Sequence, residues 1–317
     1  MNIVMLEPLG VEKTIIESLS KKFTDRGLKF IPCYEKILEE KNLIERAKDA
    51  DILLIGNTPL SNSVINSAKN LKMIAVAFTG VDHLDLNNCK SRGITVCNAQ
   101  GYATEATAEL TIGLILQVLR KIIPGDAKCR TNGTKDGFVG NELNGKTVGI
   151  IGTGAIGRRV AEILKVFNCK LIGYDTYKSQ EAIELGIKYS DLDELFRKSD
   201  ILTLHAPLLE STKNIVNSGS LALMKKTAIL INAARGPLVD SRALADALNK
   251  NIISGAGLDV IEIEPPIPTD HPLLHSKNTV LTPHVAYWSE ESMIKRAEIT
   301  FENINTWLNG KPQNVKI

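Results

Sequence analysis

Residues 148–157 read VGIIGTGAIG, an apolar run that leads into glycines spaced GxGxxG, and residues 158–166 continue with a helical pattern. A strand, a glycine turn and a helix in this order are the context that a dinucleotide-binding site requires. Gly152 permits the tight turn, Gly154 lets the backbone approach a pyrophosphate, and Gly157 lets the helix pack closely on the strand. The pyrophosphate would then face the N-terminus of the helix.

A carboxylate follows the next apolar run at the distance that such a site needs. Asp175 comes directly after the run at residues 170–174 and lies 18 residues beyond Gly157, close to the expected spacing of about 20. An acidic side chain there can accept hydrogen bonds from the adenosine ribose, and it would repel a 2′-phosphate. The sequence therefore favours NAD over NADP, unless Asp175 merely ends a strand and starts a turn.

Short β-rich runs alternate with longer helical patterns along the whole chain. This rhythm predicts βαβ units and parallel sheets, so the expected fold class is α/β. Early runs lie at residues 2–6, 51–55 and 73–78. Six later runs would complete one doubly wound sheet, and they lie at residues 147–151, 170–174, 201–204, 228–232, 255–259 and 279–282.

Two long helical patterns indicate where the chain passes between domains. Residues 103–120 read as one helix, and residues 290–308 form a second helical pattern after the last predicted strand. The segment at residues 124–144 is rich in glycine and asparagine and shows little periodicity, so we expect an exposed loop or arm. Since the chain would return to its first domain near its end, we predict a discontinuous domain of residues 1–99 and 286–317 and a dinucleotide-binding domain of residues 100–285.

The composition excludes several classes of protein. Lys and Arg number 38 against 36 Asp and Glu, and this net charge of +2 gives no reason to expect nucleic acid or a membrane surface as the main partner. Five cysteines without a CxxC pair indicate a reduced compartment, so a cytoplasmic protein is expected. His271 and His275 stand four residues apart in a loop context without further ligands, so we expect no metal site.

Three reactive side chains follow later strand runs. Arg235 lies in the stretch NAARG, Glu264 opens EPP, and His284 closes TPH. Ligands of open α/β sheets bind where the strands end, so these groups are expected to converge on one edge. A guanidinium can hold a carboxylate with two hydrogen bonds, and a histidine can exchange a proton near neutral pH. Each residue alone could be structural, but their joint occurrence points to a catalytic set.

Taken in order, the glycine turn, NAARG, the Asp259-Val260 stretch that leads to EPP, and TPH resemble the D-isomer-specific 2-hydroxyacid dehydrogenase family over almost the whole chain. The resemblance implies two doubly wound parallel-sheet domains, a flavodoxin-like substrate domain and a Rossmann NAD domain, with the active site in the cleft between them. Residues 205–208 and Thr212 are similar to the family's segment beside the nicotinamide. Besides the three glycines and Asp175, the implied cofactor contacts are Ala155, Ile156, His205, Pro207, Thr212, Ala233, Arg235, Asp259 and His284.

The expected roles of the three reactive residues follow from the reaction. A 2-hydroxy acid that gives up a hydride from C2 also loses its hydroxyl proton, so the site needs a base. His284 would take that proton in oxidation and donate it in reduction. Glu264 would orient the imidazole and favour its protonated form, and Arg235 would bind the substrate carboxylate and polarise the C2 oxygen.

The stretch at residues 77–85 resembles the family's substrate loop. The backbone N–H groups of Thr79 and Gly80 would hold the substrate carboxylate, together with Arg235 and His284. Members that act on phosphorylated substrates often carry an arginine after the strand at residues 51–55, whereas this chain continues with GNTP. A phosphate would therefore be poorly neutralised.

From the cofactor site and the catalytic set we expect an NADH-dependent reductase of a small 2-keto acid. The stretch at residues 98–104 resembles the glycerate dehydrogenase (hydroxypyruvate reductase) branch. Hydroxypyruvate is the expected substrate, and the product would be a D-2-hydroxy acid. The alternatives are a D-lactate-type or phosphoglycerate dehydrogenase, or a non-catalytic, NAD-responsive binding protein of the same fold. The helix at residues 103–120 and the arm after it resemble the family's dimer contact, so a homodimer is expected.

Overall fold

The computed structural model describes residues 1–37, 39–263 and 266–317. Within them the chain forms two compact units, of which unit 1 comprises Met1–Ala103 and Trp288–Ile317, and unit 2 comprises Thr104–Tyr287. Each unit is built on one parallel sheet with helices between the strands, which confirms the predicted fold class. No helix in the described residues is long and apolar enough to span a bilayer.

Unit 1 contains five strands, β1 (Asn2–Met5), β2 (Lys29–Ile31), β3 (Ile52–Ile55), β4 (Met73–Val76) and β5 (Thr95–Asn98). Its helices are α1 (Lys13–Thr24), α2 (Glu40–Ala47), α3 (Asn62–Ser67), α4 (Leu86–Ser91) and α12 (Glu290–Leu308). The strand order β2-β1-β3-β4-β5 is that of flavodoxin-like folds.

The core of unit 1 contains residues from both ends of the chain. Strands β3 and β4 read ILLI and MIAV and are buried along their whole length, as expected for strands covered on both faces. The ring of Phe301 on α12 stacks on that of Phe23 on α1, with 5.8 Å between centroids. Helix α12 therefore returns to the sheet with which the chain began.

Unit 2 contains seven strands, β6 (Thr147–Ile151), β7 (Lys170–Tyr174), β8 (Lys188–Tyr189), β9 (Ile201–Leu204), β10 (Ile229–Asn232), β11 (Gly255–Leu258) and β12 (Thr279–Leu281). Its α-helices are α5 (Thr104–Arg120), α6 (Ile122–Arg130), α7 (Ala155–Val166), α8 (Gln180–Glu184), α9 (Leu192–Lys198), α10 (Ser218–Leu223) and α11 (Ser241–Asn249). Short 3-10 turns lie at Gly236–Leu238 and Pro272–His275.

The strand order of unit 2 is β12-β11-β10-β9-β6-β7-β8. Counted within the unit, this is the Rossmann order with a seventh strand added next to the sixth. The order of the strands reverses between β6 and β9, and a ligand of such a sheet binds beyond the carboxyl ends at this switch point. Helix α5 covers the sheet, where Ala108, Leu114 and Ile115 share a core with Val148 of β6.

The structure differs from the sequence prediction at one helix and three strands. Residues 124–130 belong to α6 and not to a loop, because Pro124 lies in the first turn, where its missing N–H is tolerated. No residue of α6 is buried, which explains its weak periodicity. Strands β2, β5 and β8 were not predicted, and they are only two to four residues long.

Candidate active site

Two glycines of the turn after β6 lie too close to other backbone atoms to carry a side chain. Gly152 has φ +93°, and a Cβ there would lie 2.5 Å from the carbonyl carbon of His205. A Cβ on Gly157 would lie 2.1 Å from the carbonyl oxygen of Gly152. Packing within the protein therefore excludes a side chain at both positions, as the sequence prediction of a tight turn and close helix packing requires.

Gly154 differs from its two neighbours. A Cβ at this position would meet no protein atom within 4 Å, so protein packing does not explain the glycine. Gly154 is also the N-cap of α7, where backbone N–H groups are unpaired and the helix dipole favours an anion. The turn thus fits a pyrophosphate that approaches the backbone, and Ala155 and Ile156 lie in the first turn of the helix that would face it.

Asp175 lies directly after β7 and is turned towards the glycine turn. Its Oδ2 accepts hydrogen bonds from the backbone N–H of Thr153 at 2.7 Å and from Thr153 Oγ1 at 3.2 Å. Its Oδ1 accepts from the N–H of Tyr177 at 3.3 Å. The carboxylate is half-buried and is positioned beside the turn, as a ligand for the ribose of an adenosine would be.

The segment after β9 carries His205, Pro207 and Thr212. His205 Nε2 lies 2.9 Å from Thr203 Oγ1, and burial lowers the pKa of His205 to about 4, so the ring is neutral at neutral pH. Thr212 Oγ1 donates to the carbonyl oxygen of Pro207 at 2.7 Å and accepts from the N–H of Leu209 at 2.8 Å. Thr212 therefore stabilises the loop at the switch point through its own hydroxyl.

The loop that carries Arg235 depends on a buried asparagine that the sequence analysis did not single out. Asn232, at the end of β10, accepts from the N–H of Ala234 at 3.0 Å and donates to the carbonyl oxygen of Arg235 at 2.9 Å. The same loop packs tightly at its far side, where a Cβ on Gly236 would lie 1.9 Å from the carbonyl carbon of Ile261. Both contacts hold the backbone of Arg235 and of the neighbouring Ala233.

His284 lies in a turn that Asp259 holds together. Asp259 follows β11 and is 2% exposed. Its carboxylate accepts hydrogen bonds from Thr282 Oγ1 at 2.6 Å and from the N–H groups of Val285 at 2.9 Å and Ala286 at 2.8 Å. The N–H of His284 donates to the Asp259 carbonyl oxygen at 2.8 Å. These bonds keep His284 in the left-handed region, with φ +57°.

The structure thus places Arg235, Asp259 and His284 after three adjacent parallel strands. Register pairs Asn232 with Leu258 and Leu258 with Leu281, so the three side chains follow the same edge of the sheet. The ring of Tyr287 meets that of His284 edge to face at 5.5 Å. Glu264, the third predicted catalytic residue, lies outside the described residues.

In unit 1 a buried asparagine fixes the orientation of one peptide group in the predicted substrate loop. Asn98, at the end of β5, donates from Nδ2 to the carbonyl oxygen of Thr79 at 2.5 Å, and Asn98 is 1% exposed. In a trans peptide the C=O and the following N–H point in opposite directions. The N–H of Gly80 therefore points away from the buried amide, an orientation that the predicted anion-binding role of this loop would need.

A carboxylate that the sequence analysis did not single out lies at the same edge of the unit 1 sheet. Glu7, just after β1, accepts from the N–H of Gly56 at 2.6 Å and from Thr58 Oγ1 at 2.7 Å. A Cβ on Gly56 would lie 2.9 Å from the Glu7 carboxyl carbon, so the GNTP segment after β3 is shaped around this side chain. The edge therefore carries a negative charge beside the GNTP segment, at the place where the sequence analysis looked for an arginine.

Comparison with known proteins gives a consistent family. Residues 112–286 match the family model of the D-isomer specific 2-hydroxyacid dehydrogenase NAD-binding domain. The chain is 40% identical over 279 residues to a glyoxylate reductase of Thermofilum pendens, with 86% of this chain and 82% of that protein covered. It is 35% identical over 288 residues to a hydroxypyruvate reductase of Blautia hydrogenotrophica, with 88% of each covered.

Solved structures show the same fold over the whole length. An acyclic imino acid reductase in complex with NADPH and D-Arg superposes with a TM-score of 0.89 at 34% identity, over 100% of both chains. A D-lactate dehydrogenase from Aquifex aeolicus complexed with NAD and lactic acid superposes with a TM-score of 0.82 at 30% identity, over 98% of this chain and 96% of that one.

The fold and the glycine turn define an NAD-binding oxidoreductase of the α/β class. The chain belongs to the D-isomer-specific 2-hydroxyacid dehydrogenase family, whose model matches more than half of its length. It is an NAD-dependent enzyme that acts on a small 2-hydroxy or 2-keto acid. The predictions of family, enzyme class and cofactor are thereby confirmed, and the alternative of a non-catalytic binding protein is not favoured.

Proposed function

We propose that this enzyme reduces hydroxypyruvate to D-glycerate with NADH. The observation that carries the proposal is the Glu7 carboxylate, which is bonded to Gly56 and Thr58 at the sheet edge that also carries Thr79 and Gly80. A phosphorylated keto acid would meet this negative charge without a compensating arginine, so a small unphosphorylated substrate is favoured. The similarity to a hydroxypyruvate reductase supports the same choice.

The residues of the chain would share the chemistry as follows. Bound NADH supplies the hydride that reduces C2 of the keto acid. Arg235 binds the substrate carboxylate and polarises the C2 oxygen, and His284 donates the proton that the oxygen takes up as the carbonyl becomes a hydroxyl. The N–H groups of Thr79 and Gly80 would hold the carboxylate, and Glu264 would orient the imidazole of His284.

The remaining cofactor contacts divide into two groups. Gly152, Gly154, Ala155, Ile156, Gly157 and Asp175 would hold the pyrophosphate and the adenosine ribose. Those that would face the nicotinamide half are His205, Pro207, Thr212, Ala233, Arg235 and His284, and Asp259 would act on this half through the turn that carries His284. The neutral ring of His205 suits the second group, because it adds no positive charge beside a nicotinamide that becomes cationic on oxidation.

The test is the steady-state oxidation of NADH by the purified protein with five keto acids in parallel. These are hydroxypyruvate, glyoxylate, pyruvate, a branched 2-keto acid and 3-phosphohydroxypyruvate. The proposal expects the highest kcat/KM with hydroxypyruvate and the lowest with the phosphorylated acid. A higher kcat/KM with glyoxylate would assign the activity that the Thermofilum relative is named for, and a higher value with pyruvate would assign a D-lactate-type enzyme.

We also propose that the enzyme is a cytoplasmic homodimer. Three apolar side chains in and after α6 are largely exposed, Ile122 at 48%, Ile123 at 52% and Val139 at 87%, and a second copy of the chain would cover them. All five cysteines are unpaired, which supports a reducing compartment.

A further inference from the structure

A pocket lies at the edge of the unit 2 sheet opposite the glycine turn. It has a volume of about 550 Å³ and lies where the strands begin, since Thr147, Lys170 and Lys188 are the first residues of β6, β7 and β8. Strand β6 is five residues long, so this edge lies roughly 16 Å from the glycine turn. We call this cavity the basic pocket.

The lining of the basic pocket is strongly cationic. Six of its twelve lining residues are basic and none is acidic, and the basic ones are Lys165, Lys170, Lys188, Arg197, Lys198 and Lys225. The whole chain has a net charge of only +2, so this concentration of one sign is local. Clustered charge of one sign in a concave surface raises the local concentration of counter-ions.

Two of these cations have acidic partners, and the others do not within the described part of the chain. Lys225 Nζ bonds Asp200 Oδ1 at 2.8 Å, and Lys198 pairs with Glu194. Burial raises the pKa of Asp200, but the bonds from Lys225 and Thr147 outweigh it and leave the pKa below its usual value, so this pair is ionised. Lys165, Lys170, Lys188 and Arg197 have no ion pair there.

The rest of the lining is mostly apolar and adds no negative charge; Thr147 is its one hydroxyl-bearing residue. Leu171, Ile172 and Leu185 line the pocket, together with Gly186, which has φ +95° and no protein atom near its missing Cβ. Burial raises the pKa of the Cys169 thiol, so this group stays protonated and neutral at physiological pH. A ligand that fits this lining has a multiply charged anionic part and an uncharged body.

We propose that the basic pocket binds a nucleoside polyphosphate at a site separate from the cofactor site. Lysine ammonium groups are point charges that bind phosphate oxygens from many directions, and four unpaired cations match the charge of a di- or triphosphate. The volume lies in the range of small-molecule sites, and the apolar residues accept the nucleoside. This inference goes beyond the keto-acid reductase and does not depend on it.

The test uses the full-length enzyme saturated with NADH, so that the adenosine part of the probe cannot enter the cofactor site. ATP is titrated by calorimetry into the wild type and into the double variant Lys170→Gln/Lys188→Gln. The matched control is Lys69→Gln/Lys90→Gln, which removes two exposed lysines of unit 1 with the same change of charge. Thermal unfolding with and without ATP provides a second readout, since a ligand of the native state raises the Tm.

The proposal expects one equivalent of ATP to bind to the NADH-saturated wild type. The Lys170/Lys188 variant should bind at least about tenfold more weakly, because two charge-assisted contacts are lost, and the control should match the wild type. Absence of ATP binding under NADH saturation, or equal weakening in both variants, would overturn the site. Tighter binding of a single-stranded RNA than of ATP would overturn the nucleotide site in favour of a nucleic-acid surface. Equal affinity for inorganic triphosphate, which has no nucleoside, would overturn the role of the apolar lining.

Discussion

At the scale of single residues, we propose that the cofactor specificity of this dehydrogenase depends on the carboxylate of Asp175. Asp175 is held towards the glycine turn by Thr153 and Tyr177, so its position is set before a ligand binds. A preorganised acceptor binds a ribose hydroxyl at little conformational cost and repels a 2′-phosphate. We therefore expect the carboxylate to contribute both to affinity for NADH and to discrimination against NADPH.

We predict that Asp175→Ala raises the KM for NADH by about tenfold, the effect of one lost charge-assisted hydrogen bond, and lowers the preference for NADH over NADPH. Steady-state kinetics with both cofactors measure this. Asp193→Ala, which removes an exposed carboxylate from α9, should leave both values unchanged. An unaltered NADH preference in Asp175→Ala would reassign the residue to a purely structural turn.

The proposed proton donor, His284, is best tested with a substitution that its backbone tolerates. His284 has φ +57°, and asparagine occupies the left-handed region more readily than alanine. His284→Asn should lower kcat roughly 100- to 10,000-fold, as expected for loss of a general acid, while the Kd for NADH stays near the wild-type value. His275→Asn is the control, since His275 is exposed. Near-normal turnover in His284→Asn would rule out the assigned role.

At the scale of elements, the active-site turn after β12 is attached to the end of β11 through one side chain. Three donors converge on the carboxylate of Asp259, and a buried group with so many partners is costly to replace. The family resemblance assigns Asp259 to the cofactor, whereas its contacts in the structure are with Thr282, Val285 and Ala286. A positioning role for His284 follows from these contacts.

We predict that Asp259→Asn lowers the free energy of unfolding by about 2 kcal/mol or more, because its amide NH₂ would oppose backbone N–H donors. It should also lower kcat with little change in the Kd for NADH. Urea unfolding and fluorescence titration measure the two effects, and Asp246→Asn in α11, an exposed carboxylate, is the control. Weaker NADH binding with unchanged stability would show instead that Asp259 is a direct cofactor contact.

The end of β9 should make the stability of unit 2 depend on pH. The pKa of His205 is about 4 in the fold and 6.5 in the unfolded chain, so the unfolded chain binds the additional proton between these values. The stabilising contribution of the neutral ring is therefore complete above about pH 6.5 and is lost as the pH falls towards 4. His205→Gln cannot take up that proton.

Thermal unfolding of both proteins over this range checks the prediction. The Tm of the wild type should fall relative to that of His205→Gln as the pH is lowered from about 7 to about 5. His275→Gln, at an exposed site, should follow the wild type at every pH. Parallel curves for the wild type and His205→Gln would show that folding does not lower the pKa of His205.

At the scale of the whole molecule, the exposed isoleucines of α6 predict self-association. The purified enzyme should have about twice the mass of the 34.6 kDa chain at micromolar concentration, as measured by light scattering. Ile122→Asp/Ile123→Asp should shift it to the monomer, because a buried charge without a partner is costly. Ile183→Asp, at another exposed isoleucine, should remain dimeric. A monomeric wild type would contradict the proposed dimer.

Local sequence patterns were sufficient for most of the fold. The run into the glycine turn, the helix at 104–120 and the helix at 290–308 are predictable, because their periodicity and their breakers lie within one segment. Candidate site residues could be located in the same way, since Arg235 and His284 come shortly after the predicted strand runs at residues 228–232 and 279–282.

Features that depend on contacts between distant segments could not be predicted from the sequence. Strand β8 has two residues and exists because Lys188 and Tyr189 pair with β7, and the bonds of Glu7 to Gly56 and of Asn98 to Thr79 join side chains to segments far along the chain. The basic pocket likewise collects cations from β7, β8 and α9. Such arrangements arise only when the strands pack side by side, because the hydrogen bonds and charges involved have no partner within their own segment.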